Sequence, residues 1–174
     1  MHTVSSSTTP IQLTWIKSNH GYELSANGPI VGSLQRVGFW RSATQAEFKG
    51  RSWLFQRSGC NRTEILQQPG ARPVANFNAS WLGGGTLVFA DGRRFQLIAK
   101  GFWRPVWSWV DDLGRKLIQV TPHEKTVRVI EGATADERNS NQEKMPVLIM
   151  FSWHQILQAN DDAAAIVAMS AAAG

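Results

Sequence analysis

The chain has 174 residues, 43% apolar and 18% charged, with a net charge of +5. That is the length of one domain, with enough apolar content for a sizeable core and few spare charges. Its single cysteine, Cys60, excludes an internal disulfide, so nothing demands an oxidising compartment.

The opening MHTVSSSTTP has neither the basic nor the apolar part of a signal peptide and reads as a flexible polar arm over residues 1–10. The strongest apolar run, Met145 to Leu157, is cut by Ser152, His154 and Gln155 and is too short to span a bilayer. The expectation is a soluble, cytoplasmic protein that is not transmembrane. Charge is uneven, +8 over residues 1–110 and −3 over residues 111–174. A basic region of this kind either attracts phosphates of lipid or nucleic acid or is simply a solvated exterior. Eight Trp against one Tyr suits core, wall or interface positions.

From about Ile11 to Glu131 the chain reads as strands joined by tight turns. Ile11 to Trp15 alternates apolar and polar residues, the period of a half-buried strand. Gly21 to Ser25 is a second strand, Asn27-Gly28 a hairpin turn, and Pro29 to Val37 a third strand. Ala46 to Phe55 follows, with Phe48, Trp53 and Phe55 as inward candidates, then a turn at Ser58-Gly59 and a strand from Arg62 to Leu66. Gln67 to Arg72 reads as loop, Pro73 to Phe77 as a short strand and Trp81 to Gly85 as a bend. Thr86 to Ala90, Asp91-Gly92 and Arg93 to Lys100 make the clearest hairpin. Phe102 to Val110 is a Trp-rich strand in which Pro105 predicts an edge or a bulge. Asp112 to Gly114 turns into Arg115 to Val120, and Lys125 to Glu131 is the last strand. Residues 132–144 are almost devoid of apolar side chains and are expected to form a mobile loop.

A repeat runs through this region. Ala26-Asn-Gly28 recurs as Ala90-Asp-Gly92, and Gly38-Phe-Trp-Arg41 recurs as Gly101-Phe-Trp-Arg104. Two similar meanders of this kind suit a barrel or a two-sheet structure.

The final stretch, residues 146–173, is apolar on all sides, and a helix of that kind must be buried. The one wall that can bury it is the sheet, so the fold class expected is mainly β: a closed antiparallel barrel around a buried C-terminal helix. Pro146 suits the first helical position, although Val147 to Leu157 also fits a buried strand. One continuous helix would be about 40 Å long, longer than a small barrel, so a break is expected near Asn160-Asp161. Ala163 to Ala173, small and apolar, is the part expected to thread the interior.

The segment Leu87-Val-Phe-Ala-Asp-Gly-Arg-Arg-Phe95, followed by Trp-rich strands, resembles the tubby C-terminal-like superfamily, and more closely its LURP-one-related and phospholipid-scramblase-like branch. Asp161-Asp-Ala-Ala-Ala-Ile-Val-Ala-Met169 resembles the opening of that superfamily's central helix. The resemblance spans roughly residues 11–172, on soft motifs. It implies a barrel of about twelve strands around a C-terminal helix, and a non-enzymatic role. Tubby domains bind phosphoinositide headgroups through basic surface residues, and scramblase-like proteins act at membranes. The palmitoylated cysteine cluster and the Pro-rich extension of scramblases are absent here.

No catalytic or metal motif stands out. His2, His20, His123 and His154 are not at ligand spacing, and HExxH, CxxC and GxSxG patterns are missing. Gly83-Gly-Gly85 lacks the Gly-Lys-Ser/Thr of a phosphate loop. His123-Glu124 is a weak acid/base pair, His154 reads as a core histidine with one hydrogen bond, and Asp111-Asp112 face water or a cation. With the non-enzymatic role that the resemblance implies, the reading is a binding or scaffold barrel, a monomer without cofactor or metal. Its partners are anionic phospholipid headgroups or another protein, and Arg93, Arg94, Arg104 and Arg41 are candidate anion contacts. A barrel holding a small apolar ligand, or nucleic-acid binding through the basic half, are the alternatives.

Overall fold

The computed structural model describes residues 11–38, 43–81, 83–130 and 141–172. The polar arm, Arg41 and most of the 132–144 segment therefore lie outside the described residues. Twelve strands follow in order: β1 (Ile11–Ser18), β2 (Gly21–Ser25), β3 (Ile30–Val37), β4 (Ala43–Phe48), β5 (Arg51–Arg57), β6 (Arg62–Gln68), β7 (Arg72–Ala79), β8 (Gly85–Phe89), β9 (Arg94–Lys100), β10 (Val106–Asp111), β11 (Lys116–Thr121) and β12 (Thr126–Val129). Among the described residues one long helix, α1 (Met145–Ala172), follows the strands. Each strand pairs antiparallel with its neighbours in sequence, and β1 pairs with β12, from Ile11 opposite Val129 to Thr14 opposite Thr126. The result is a closed up-and-down barrel with no free edge.

Strand alternation sends bulky apolar residues inward: Trp15, Leu24, Leu34, Phe55, Ile65, Phe77, Leu87, Phe95 and Trp109 are all essentially buried. The helix meets them from the axis. Residues Val147 to His154 are buried without a gap, which an α-helix achieves only when walls surround it on every side. Phe151 packs against Phe55 of β5, Phe77 of β7 and Trp109 of β10. On another face Trp153 stacks on Trp15 of β1, ring centroids 5.3 Å apart, with Tyr22 of β2 edge-on. Gly32 of β3 makes room for Met150: a Cβ there would sit 3.4 Å from the Met150 sulfur and 2.7 Å from the Glu47 carbonyl oxygen. Trp109 Nε1 donates to the Leu148 carbonyl at 2.9 Å, and the Ser152 hydroxyl is satisfied by the Ile149 carbonyl at 2.7 Å.

Two expectations about the helix are corrected. It does not break at Asn160-Asp161, and its buried part is Val147 to Leu157 rather than Ala163 to Ala173, whose described side chains are exposed. Volume explains the second point. A twelve-stranded barrel is wider than an eight-stranded one, so its axis has to be filled by Phe, Trp, Leu, Ile and Met, and an alanine helix would leave voids. Length explains the first. At 28 residues the helix is about 42 Å long, whereas the strands have four to eight residues. The helix leaves the barrel near Gln158, and beyond that Asn160, Asp161 and Asp162 are solvated while the alanines that follow favour helix strongly.

Three strand assignments also change. Ala46 to Phe55 is two strands split by a two-residue turn, Lys49 (φ 48°) and Gly50 (φ 77°). A lysine in the left-handed region carries no turn signal. The expected loop at Gln67 to Arg72 shrinks to residues 69–71, between β6 and β7. Phe102 and Trp103 are not in a strand: they sit in the connection between β9 and β10, which resumes pairing only after Pro105.

The repeated turns take matching places. Asn27-Gly28 joins β2 to β3, and Asp91-Gly92 joins β8 to β9, six strands apart in a ring of twelve and so on opposite sides of the barrel.

Candidate functional site

Because the barrel is one meander, its connections alternate between two ends. The β2–β3, β4–β5, β6–β7, β8–β9 and β10–β11 turns lie at the end where the helix enters. This follows from Lys144, just before α1, which binds Asp91 at 2.7 Å and covers the Phe89 ring at 5.0 Å. The β1–β2, β3–β4, β5–β6, β7–β8, β9–β10 and β11–β12 connections lie at the exit end. There Arg36, at the end of β3, pairs with Asp161 of the helix.

The four candidate arginines therefore do not form one site. Arg93 and Arg94 are at the entry end and Arg104 is at the exit end, while Arg41 lies outside the described residues. Arg93 Nη1 donates to Asn141 Oδ1 at 3.3 Å, holding the segment that leads into the helix. The shallow depression beside Arg93 and Arg94 also contains Asp111, Asp112 and Arg115, so its charges largely cancel. Asp111 is not free to hold a cation. It accepts from the Leu113 and Arg115 backbone N–H groups at 3.0 and 2.8 Å and from Arg115 Nε at 2.8 Å. Partial burial pushes its carboxyl up, but these bonds outweigh that and hold it below the ordinary carboxylate range.

The exit rim is different. Trp81 is fully exposed, and Phe102 and Trp103 nearly so. Trp81 lies in the β7–β8 connection and the Phe102-Trp103 pair in the β9–β10 connection, next to each other on the rim. The former packs on β9, where a Cβ on Gly84 would lie 2.0 Å from the Leu97 carbonyl oxygen and Gly84 itself has φ 79°. Val167 and Met169, also exposed, belong to the helix that emerges from this end. Exposed Lys17, Arg57, Arg62, Lys100, Arg104 and Lys125 surround it. Among the described residues the connections at this end carry one acid, Glu124, and the helix adds Asp161 and Asp162, of which Asp161 is already neutralised by Arg36. This rim unites exposed aromatics, an apolar helix and excess positive charge.

Sequence reasoning missed the aromatic part because Phe102 and Trp103 alternate as a strand would. The signal that could have placed them outside is Gly101, at φ 98°, followed within five residues by Pro105.

Two further titratable groups, His154 and Asp91, join the helix and its lead-in segment to the wall. His154 Nδ1 lies 3.0 Å from the Thr44 hydroxyl inside the barrel. Burial, with the nearby Arg36 and Arg57 charges, pushes its imidazole down to about 3, so it is neutral. Lys144, by hydrogen bond and charge, holds Asp91 below the usual carboxylate range. His123 and Glu124 sit 3.6 Å apart in the open, and Cys60 is an exposed free thiol. Among the described residues no group of three or more His, Cys, Asp and Glu side chains could hold a metal ion, and no helix is long and apolar enough to cross a membrane.

In class, then, the chain is a closed twelve-stranded antiparallel barrel with its C-terminal helix packed in the interior and projecting from one end. Comparison with family models, curated proteins and solved structures finds no match to this chain.

Proposed function

We propose that the protein is a non-enzymatic tubby-like barrel that docks peripherally on an anionic lipid surface through its helix-exit rim. The observation that carries this reading is the gathering, at one end, of exposed Trp81, Phe102 and Trp103, a ring of exposed cations and the projecting apolar helix. Trp favours the bilayer interface, where its ring is in apolar surroundings and its N–H stays wet. Exposed lysine and arginine near an anionic leaflet contribute about 1 kcal/mol each. Residues Ala163 to Ala172 carry no charge and span about 15 Å as a helix, close to the depth of one leaflet's hydrocarbon.

The barrel wall itself does not suit the bilayer interior. Outward positions such as Gln12, Gln45, Glu47, Gln56 and Gln96 are polar, whereas a membrane-spanning barrel faces lipid with an apolar belt. Storage of an apolar ligand on the barrel axis is disfavoured because the helix occupies it. Basic and aromatic residues together also suit single-stranded nucleic acid, but that reading leaves the uncharged helix end without a role.

The test is co-sedimentation with neutral and phosphatidylserine-containing vesicles at low and physiological salt. Binding to the anionic vesicles alone is expected, weakened by salt, reduced by Lys100→Gln with Arg104→Gln, and reduced by Phe102→Ala with Trp103→Ala. Arg93→Gln at the far end leaves it unchanged. Absence of binding under every condition would overturn the reading.

A further inference from the structure

The helix-entry end carries a second feature, independent of the exit rim. A cleft of about 620 Å³ opens between β5, β7, β8 and the start of α1, within the range of about 300–1,000 Å³ typical of small-molecule sites. Its apolar lining is Trp53, Pro73, Val74, Phe89 and Val147, and of these Trp53, Phe89 and Val147 belong to the buried core. Its charged lining is Arg51, Arg72, Lys144, Asp91 and Glu143.

The charges are not evenly committed. Lys144 and Asp91 neutralise each other at 2.7 Å. Arg51 and Arg72 are exposed, and neither makes a hydrogen bond or ion pair with another described residue. Two free guanidinium groups therefore face one remaining carboxylate, Glu143. Register sets their spacing. Trp53 of β5 is opposite Gln67 of β6, and Gln67 is opposite Arg72 of β7. The Trp53 and Arg72 backbones are thus two strand spacings apart, roughly 10 Å, and Arg51 lies two residues nearer the mouth than Trp53. Side chains of this length converge across that gap, and guanidinium groups hold oxyanions through paired N–H donors.

We infer that this cleft binds a small anionic amphiphile: a phosphate or carboxylate head held by Arg51 and Arg72, with an apolar body against Trp53, Pro73 and Val74. The cations set the head at the mouth, and the apolar lining selects against bare inorganic anions. The exit rim plays no part in this binding.

Isothermal titration calorimetry with octyl phosphate, 1-octanol and inorganic phosphate tests it on the full chain. Saturable binding of octyl phosphate is expected, with the other two weaker by about tenfold or more, 1-octanol because it lacks the charge-assisted contact and inorganic phosphate because it lacks the apolar body. Arg51→Gln with Arg72→Gln abolishes it, and Arg72→Gln alone weakens it. Both residues are exposed, so circular dichroism and thermal melting remain those of the parent. Arg57→Gln at the opposite end leaves binding intact. No binding of octyl phosphate, equal binding of inorganic phosphate, or binding undiminished in the double variant would each overturn the assignment.

Discussion

His154 Nδ1 and the Thr44 hydroxyl meet at 3.0 Å inside the barrel, joining the helix to the wall. The ring also touches Phe55 and Phe151, and its Nε2 has no hydrogen-bond partner. A charged imidazole there has no solvent to stabilise it.

The pH dependence follows from that contact. His154 stays neutral in the folded protein down to about 3, whereas in the unfolded chain it takes up a proton near the ordinary value of 6.5. Between these values the unfolded state binds more protons. The His154 contribution is therefore fully present above about 6.5, falls by up to about 1.4 kcal/mol per pH unit as the pH drops, and levels off near 3. Urea denaturation from pH 8 to pH 4 should show this slope. It should be removed in His154→Gln, which keeps a partner for Thr44 and does not titrate. An unchanged slope in that variant would show that other groups carry the dependence.

Trp109 and Trp15 allow a matched comparison. Both are buried, but Trp109 Nε1 donates to the Leu148 carbonyl, while Trp15 Nε1 makes no hydrogen bond. Replacement by Phe removes similar volume from each. Trp109→Phe should cost about 1–3 kcal/mol and Trp15→Phe less. Equal losses in chemical denaturation would mean that the hydrogen bond adds nothing to the anchoring of the helix.

Gly32 should not accept a side chain. Gly32→Ala places a methyl group 2.7 Å from the Glu47 carbonyl oxygen as well as against Met150, and overpacking of this kind costs about 1–3 kcal/mol. Because the tighter contact is with backbone, adding Met150→Ala should not restore the melting temperature. Recovery in the double variant would locate the clash on the helix instead.

The two halves of the helix should separate in a truncation series. A chain ending at Asp162 lacks residues 163–174, whose described side chains are exposed, so its denaturation midpoint should stay within about 0.5 kcal/mol of the parent. Phe151→Ala removes a ring packed between three strands and should cost about 3–5 kcal/mol. Loss of folding in the truncated chain would show that the projecting half contributes to the core.

Much of the architecture was legible in the residue pattern. Period-two alternation, Asn27-Gly28 and Asp91-Gly92 marked strands and hairpins because backbone sterics at turns are local. A helix apolar on every side could only be enclosed, and with strands alone available to enclose it a closed barrel followed. The core position and single hydrogen bond of His154 were readable from its apolar neighbours. Misreadings arose where a local signal was absent or ambiguous. Lys49 occupies a conformation that its residue type does not advertise, and Phe102-Trp103 alternates like a strand but hangs outside one.

The sequence by itself determined strands, most turns and the need to bury an apolar helix, since these depend on local sterics and on removing apolar surface from water. Only the tertiary structure decided which half of the helix lies within the barrel, because that depends on the width of the closed ring and the volume needed to fill it. It likewise decided that Arg93 and Arg104 belong to opposite ends, and that Trp81, Phe102, Trp103 and the helix end share one. Which connections meet at a rim depends on how many strands intervene and on the closure of β1 against β12, and no stretch of residues carries that information on its own.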